Sequence, residues 1–208
     1  MKTRTLISAF LTFAFLNIIN ARNADEIQPL LIGSKAPKVS LIDESGVKRY
    51  LPALLKGKRT VLVFYRGGWC PYCNKHLQAL GAAESKLLEL GYQIIAISPD
   101  APKSLGRIEE DGELNYSLYS DSSLEAASAF GIDFTMSKAA LLKYKAYGIS
   151  LEKSSGGLNK NKLPVPSVFL ITPNNEISFV HVDPEARFRL STKLLLAAAE
   201  DALAFHEN

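Results

Sequence analysis

Hydrophobic positions along the chain fall into two alternating patterns. Residues 60–65, 92–98 and 167–171 are apolar at nearly every position and rich in Val, Ile and Leu. Strands of that kind are buried on both faces, as in a sheet covered by helices on each side. Between them the spacing turns helical. Residues 74–90 place Leu77, Leu80, Leu87 and Leu88 on one stripe, with Gly91 as the stop. Further helices are predicted over 103–110, from a cap at Asp121 or Ser122 to Gly131, over 138–147, and from Ser191 to about Phe205. The last should turn Leu194, Leu195, Ala198, Ala202 and Phe205 inward. A helical turn is expected at 51–55, ended by Gly57, and short strands within 33–42 and at 116–119. Residues 176–182 alternate apolar and polar after the turn Pro173-Asn174-Asn175, so they pair as a hairpin with 167–171. The polar stretch 153–162 reads as a mobile insertion. Strands alternating with helices predict an α/β protein: a central mixed β-sheet, largely parallel with an antiparallel edge, flanked by helices on both faces.

The N-terminus breaks this pattern. Lys2 and Arg4 precede an apolar run over 6–19, which fits a signal-peptide core and is short for a membrane span of roughly 20 residues. Cleavage is expected after Ala21 or Ala24, with an uncleaved anchor as the minor alternative. The expected organisation is a leader over 1–24 and one domain over 25–208, and the expected location is periplasmic or secreted.

Charge changes the picture only after the leader is removed. Lys2, Arg4 and Arg22 account for the whole net charge of +3, leaving 21 basic against 21 acidic residues. A neutral chain with no basic stripe excludes nucleic acid as the expected partner.

The candidate chemistry lies where the first buried strand meets the first long helix. The stretch Tyr65-Arg66-Gly67-Gly68-Trp69-Cys70-Pro71-Tyr72-Cys73 contains both cysteines of the chain. A bridge between Cys70 and Cys73 closes so small a loop that it constrains the unfolded chain little; redox chemistry explains the spacing better. A helix N-terminus favours a thiolate through its unpaired N–H groups and dipole, and Pro71 suits the first helical position. Cys70 is the expected attacking thiol and Cys73 the resolving one. Trp69 should shield the sulfur and meet a partner. Arg66, Arg187 and Arg189 are candidates to hold a thiolate or a substrate oxygen, although each is of a kind more often solvated. A structural zinc site needs four ligands. The histidines outside the motif's vicinity are His181 and His206, so neither a metal nor another cofactor is expected, and His76 reads as a helix-surface residue.

These residues resemble the thioredoxin-fold superfamily and, within it, the peroxiredoxin-like branch of alkyl hydroperoxide reductase C and thiol-specific antioxidant type. The resemblance runs from about Gly33 to the C-terminus. It rests on Gly33-x-x-Ala36-Pro37, the strand 61–65, Ile97-Ser98-Pro99-Asp100, Ser120-Asp121 through Phe130-Gly131, and Val165-Pro166-Ser167. Leu163-Pro164-Val165-Pro166 and His181-Val182-Asp183-Pro184 resemble a subgroup carrying W-C-P-x-C. The resemblance implies a thioredoxin-like fold and a cis-proline loop at Val165-Pro166 lying against the reactive cysteine. With Trp69, Pro71 and Tyr72, that loop would form the substrate- or partner-binding surface. It also implies reduction of hydrogen peroxide or alkyl hydroperoxides through a Cys70 sulfenic acid. Cys73 would resolve this to a redox disulfide that a thioredoxin-like or membrane-bound dithiol donor reduces. A homodimer is an allowed assembly. One departure stands out: Gly67 occupies the place of the threonine that positions peroxide in such proteins. Cys70-Pro71-Tyr72-Cys73 is similar to the glutaredoxin motif, so an exported thiol–disulfide oxidoreductase stays open as the alternative.

Overall fold

The computed structural model describes residues 23–105 and 114–206. Its main sheet is organised around β3 (Arg59–Phe64) and β4 (Tyr92–Ser98), which pair in parallel from Arg59↔Tyr92 to Phe64↔Ile97. β4 continues in parallel to β5 (Ser117–Ser120), and β5 meets β1 (Ser40–Ile42), which pairs antiparallel with β2 (Lys48–Tyr50). On the other side β3 pairs antiparallel with β8 (Ser167–Ile171), and β8 with β9 (Ile177–Val182). The strand order is β2-β1-β5-β4-β3-β8-β9. This is the mixed sheet with an antiparallel hairpin edge that the sequence predicts.

The two-sided burial of the central strands follows from the period of two along a strand. Val61, Val63, Ile94, Ala96, Val168 and Leu170 point to one face, where α2 (Pro71–Glu89) and α6 (Thr192–His206) cover them. Leu62, Phe64, Ile95, Ile97, Phe169 and Ile171 point to the other, under α1 (Leu51–Leu55) and α3 (Glu125–Ala129). On this second face Phe64, Phe130 and Phe169 pack as a tilted aromatic cluster, with centroid distances of 4.9 to 6.1 Å. Such contacts add about 0.5–1.5 kcal/mol per pair beyond area burial.

A second layer is inserted between β5 and β8. It comprises β6 (Asp133–Thr135), α4 (Lys138–Ala146), α5 (Leu151–Ser154) and β7 (Lys162–Pro164), with β6 and β7 antiparallel. The segment expected to be a mobile loop is ordered. Ser155 and Asn159 are buried, Asn159 donates to the Lys162 carbonyl at 2.7 Å and accepts from its amide at 2.9 Å, and Lys162 pairs with Asp133 at 2.9 Å. Polar composition misleads here because these side chains bond backbone rather than water.

Other details also differ from the pattern. Leu88 and Leu194 are 57% and 53% exposed, so the inner stripes of α2 and α6 are narrower than expected, and Leu87 and Leu195 carry the contacts. The side chain of Phe205 lies outside the described residues. Of the helix expected over 103–110, the described part is a 3-10 turn at Pro102–Ser104, and the remainder lies outside the described residues. The N-cap of α3 is Leu124 and not Asp121 or Ser122, but the Asp121 carboxylate reaches the first turn and accepts from the Ala126 and Ala127 amides at 3.0 and 2.8 Å. The leader expected over 1–24 also lies almost wholly outside the described residues. Among the described residues no helix is long and apolar enough to cross a membrane.

Candidate active site

β3 ends at Phe64 in the middle of the sheet, and the chain then turns through Gly67 and Gly68 into α2. Cys70 is the N-cap of α2 and Pro71 its first residue, as the motif predicts. The Cys73 amide donates to the Cys70 carbonyl at 2.9 Å and the Asn74 amide to the same oxygen at 3.0 Å, closing the first turn. The Asn74 side-chain amide donates back to the Gly68 carbonyl at 2.9 Å. Both cysteines are free thiols and buried, Cys70 at 3% exposure and Cys73 at 0%.

Their environments push them apart. The Cys70 thiol falls from an ordinary value near 9 to about 6. The leading cause is the hydrogen bond donated by the Cys73 thiol; the Cys73 amide and the charges of Arg66 and Arg189 add to it, and burial opposes. Cys73 moves the other way, well above 9, chiefly through burial and then through its bond to Cys70. These opposite shifts favour a thiolate on Cys70 near neutral pH, with the Cys73 thiol keeping its proton and donating the hydrogen bond. That division of labour suits a nucleophile and a reserve thiol.

Two arginines frame the pair. Arg66 is held between two rings, 5.6 Å from the Trp69 centroid and 5.3 Å from that of Tyr144 on α4, and the rings themselves meet edge to face at 5.4 Å. Arg189, from the loop after β9, donates through Nη2 to Cys73 Sγ at 3.2 Å. The structure separates the three arginine candidates: Arg187 turns outward to Glu185, with contacts of 3.0 and 3.1 Å. His76 is not a surface residue. It is 7% exposed one turn beyond Cys73, and its pKa drops to about 4, first by burial and then by the charges of Arg189 and His181. A lone histidine among polar neighbours in sequence gave no sign of that burial.

Of the expected contact residues, Trp69 is half-buried while Pro71 and Tyr72 are exposed, Tyr72 at 47%. Val165 and Pro166 differ from expectation. Among the described residues no peptide bond is cis, so the Val165–Pro166 bond is trans. Both residues are buried. Their backbone is occupied inside the protein: the Val165 amide donates to Ile132, the Ser167 hydroxyl to the Val165 carbonyl, and the Asp183 amide to the Pro166 carbonyl.

The missing threonine has a structural explanation. Gly67 adopts φ +139°, where a side chain is strained, and a Cβ there would overlap the Trp69 indole and stand 2.9 Å from Asp100 Oδ1. The space that a threonine would fill is taken by Trp69. A cavity of about 420 Å³ opens beside this turn, lined by Gly68, Trp69, Asp100, Ile149, Lys153 and Ser154 among others. Among the described residues no three His, Cys, Asp or Glu side chains gather in a way that could hold a metal.

A mixed sheet that delivers an ionised cysteine to a helix N-terminus, with a second thiol one turn on, defines a thioredoxin-fold thiol redox protein. Residues 32–180 match the model of the AhpC/TSA family, and the chain belongs to that family. It is 33% identical over 108 residues to peroxiredoxin Bcp of Escherichia coli, covering 51% of this chain and 67% of the relative. The bcp protein of Haemophilus influenzae is 34% identical over 106 residues, covering 51% and 68%. The crystal structure of peroxidoxin BcpB from Mycobacterium tuberculosis superposes with a TM-score of 0.60 at 22% identity, covering 83% of this chain and 94% of that one, which supports the fold. The activity is that of the class, a thiol-dependent peroxidase, and the relatives favour it over disulfide exchange.

Proposed function

We propose that the peroxidase cycle runs through Cys70 and Cys73 of this chain. The Cys70 thiolate attacks the distal oxygen of hydrogen peroxide or an alkyl hydroperoxide. The O–O bond breaks, Cys70 becomes a sulfenic acid, and the other oxygen leaves as water or alcohol after taking a proton. Cys73 condenses with the sulfenic acid, releasing water and forming the Cys70–Cys73 disulfide. A dithiol donor then reduces the disulfide by exchange. The observation that carries this reading is the placement of the two thiols, Cys70 at the N-cap of α2 with Cys73 one turn on and Arg189 on the Cys73 sulfur, an arrangement that lowers the Cys70 thiol and raises that of Cys73.

Arg66 sits in the turn and places its charge on the Cys70 side, where it favours the thiolate. In the absence of a threonine at Gly67 we assign it the task of holding the peroxide oxygens. The exposed Pro71 and Tyr72, with the half-buried Trp69, form the surface on which a donor approaches. The basic start and apolar run over 6–19 support export to the periplasm or beyond, where a thioredoxin-like or membrane-bound donor would be required.

The test is stopped-flow oxidation of the reduced protein by hydrogen peroxide, read from the single tryptophan, Trp69, which precedes Cys70. Fast quenching that is lost in Cys70→Ser supports the cycle, as does trapping of a Cys70 sulfenic acid in Cys73→Ser. Oxidation no faster than that of a free thiol refutes it. N-terminal sequencing of protein recovered from the cell envelope tests export: a start at Arg22 or Asp25 supports it, and an intact chain confined to the cytoplasm refutes it.

A further inference from the structure

The Arg189 side chain is held by its own loop. Nη1 donates to the carbonyl of Ala186 at 2.7 Å and to that of Phe188, and Nη2 is left to reach Cys73 Sγ at 3.2 Å. The next residue, Leu190, is 3% exposed in the core against α2, so the backbone of this segment is fixed. Arg189 also lies beyond the segment 32–180 that matches the family model. A neutral buried thiol has little use for a guanidinium, whereas a charge-assisted bond to an anionic sulfur is strong and short.

We propose that Arg189 is a catalytic residue for the steps in which Cys73 carries negative charge, and that it acts on Cys73 rather than on the peroxide. This rests on the reading of Cys73 as the resolving thiol. There are two such steps. In the first, Cys73 sulfur forms a bond to Cys70 sulfur while the S–O bond of the sulfenic acid breaks; the departing hydroxide takes up the proton that Cys73 has given up and leaves as water. In the second, a donor thiolate attacks Cys70 sulfur, and Cys73 leaves with the electron pair of the broken S–S bond. The second thiol of the donor then displaces Cys70, and the donor departs as a disulfide. In both steps Arg189 compensates a thiolate that burial otherwise disfavours.

Other groups face Cys73: Cys70 at the N-cap, and Tyr65 and Arg66 from the end of β3 and the turn. Glu185 sits in the same loop as Arg189, but its carboxylate is bound to Arg187. Arg66 is held between the Trp69 and Tyr144 rings, so Arg189 is the cation with a direct bond to the Cys73 sulfur among the described residues.

The experiment compares the full chain with Arg189→Met and Arg189→Lys. Removing an opposite charge at contact distance raises a thiol pKa by about 1–3 units. The pH midpoint of disulfide formation should rise by about that amount in Arg189→Met. The rate near neutral pH should fall roughly 3- to 30-fold, because the lost thiolate is partly offset by greater intrinsic nucleophilicity. Cys70 sulfenic acid should accumulate and be trapped by dimedone, and peroxide oxidation of Cys70 should slow less than disulfide formation, since Arg189 is the last of the causes that lower that thiol. Arg189→Lys should recover part of the pH shift. In a second arm the disulfide is formed with diamide and opened with dithiothreitol, with no peroxide present; opening should slow in Arg189→Met and recover in Arg189→Lys. If the wild type fails to react with peroxide, the peroxidase reading falls while this arm still tests Arg189. Equal slowing of the peroxide step, or an unchanged pH midpoint with unchanged opening by dithiothreitol, overturns the proposal. Should Arg189→Met not fold, the same two readouts on Arg189→Lys decide it, because a merely structural role predicts no shift there.

Discussion

The Gly68 amide donates to Asp100 Oδ2 at 2.7 Å, and this bond ties the turn ahead of Cys70 to the end of β4. Asp100 is 2% exposed, and its other oxygen accepts from the Ser154 hydroxyl on α5. One carboxylate therefore joins the cysteine turn, the central sheet and the inserted layer. Asp100→Ala should leave the Gly68 amide and the Ser154 hydroxyl, both partly buried, without this acceptor; a fully buried group left unpaired costs about 1–3 kcal/mol, and these should cost less. We expect a clear fall in the urea midpoint, and slower peroxide oxidation as the turn loosens. A midpoint unchanged from wild type would contradict this account of the turn.

Placing a threonine at Gly67 should do harm. Gly67→Thr meets both the left-handed backbone at φ +139° and the Trp69 indole. We expect destabilisation of at least about 1 kcal/mol from the backbone alone, together with slower peroxide oxidation. Adding Trp69→Ala removes the overlap but not the backbone strain, so the double variant should recover only part of the stability. Thermal unfolding of the two variants side by side checks this.

The pH dependence follows from Cys70. Its thiolate, read by absorbance at 240 nm, should titrate near pH 6, and peroxide oxidation should fall about tenfold per unit below that. Because this pKa is depressed from about 9 on folding, the unfolded chain binds the extra proton between the two values. Cys70 thus stabilises the reduced protein fully above about pH 9, and that contribution is lost as pH falls toward 6. Cys73, raised on folding, acts in the opposite sense above about pH 9, where its burial makes the folded state less stable as pH rises. Denaturation of the reduced protein across pH 5–8 should therefore show a rise in stability that Cys70→Ser lacks.

Tyr144 tests the grip of the inserted layer on the site. Its ring meets Trp69 at 5.4 Å and Arg66 at 5.3 Å. Tyr144→Ala should cost about 1–2 kcal/mol, the sum expected for one aromatic pair and one cation–π contact, and it should make α4 more susceptible to limited proteolysis. Unchanged proteolysis would mean that α4 is held by its other contacts.

Much of the architecture was legible because it depends on local pattern. The runs at 60–65, 92–98 and 167–171 are apolar at successive positions, which only a strand covered on both sides can bury. Pro71 and the two cysteines marked the start of α2 because a helix N-terminus has distinctive chemistry. The failures share a cause. Leu88 and Leu194 read as core, His76 as surface and the polar run 153–162 as a mobile loop, although burial at each is decided by which distant element packs there.

The sequence by itself determined that Cys70 caps a helix, that Cys73 follows one turn on, and that an α/β frame supports them. It could not choose among Arg66, Arg187 and Arg189, since each is an arginine beside a strand or turn. Tertiary structure made the choice: the loop after β9 folds over α2 and sets Arg189 on Cys73, α4 holds Arg66 against Trp69, and Arg187 is left to Glu185. The same packing drives the two thiols apart in acidity, because burial and a fixed charge depend on three-dimensional neighbours and not on spacing along the chain.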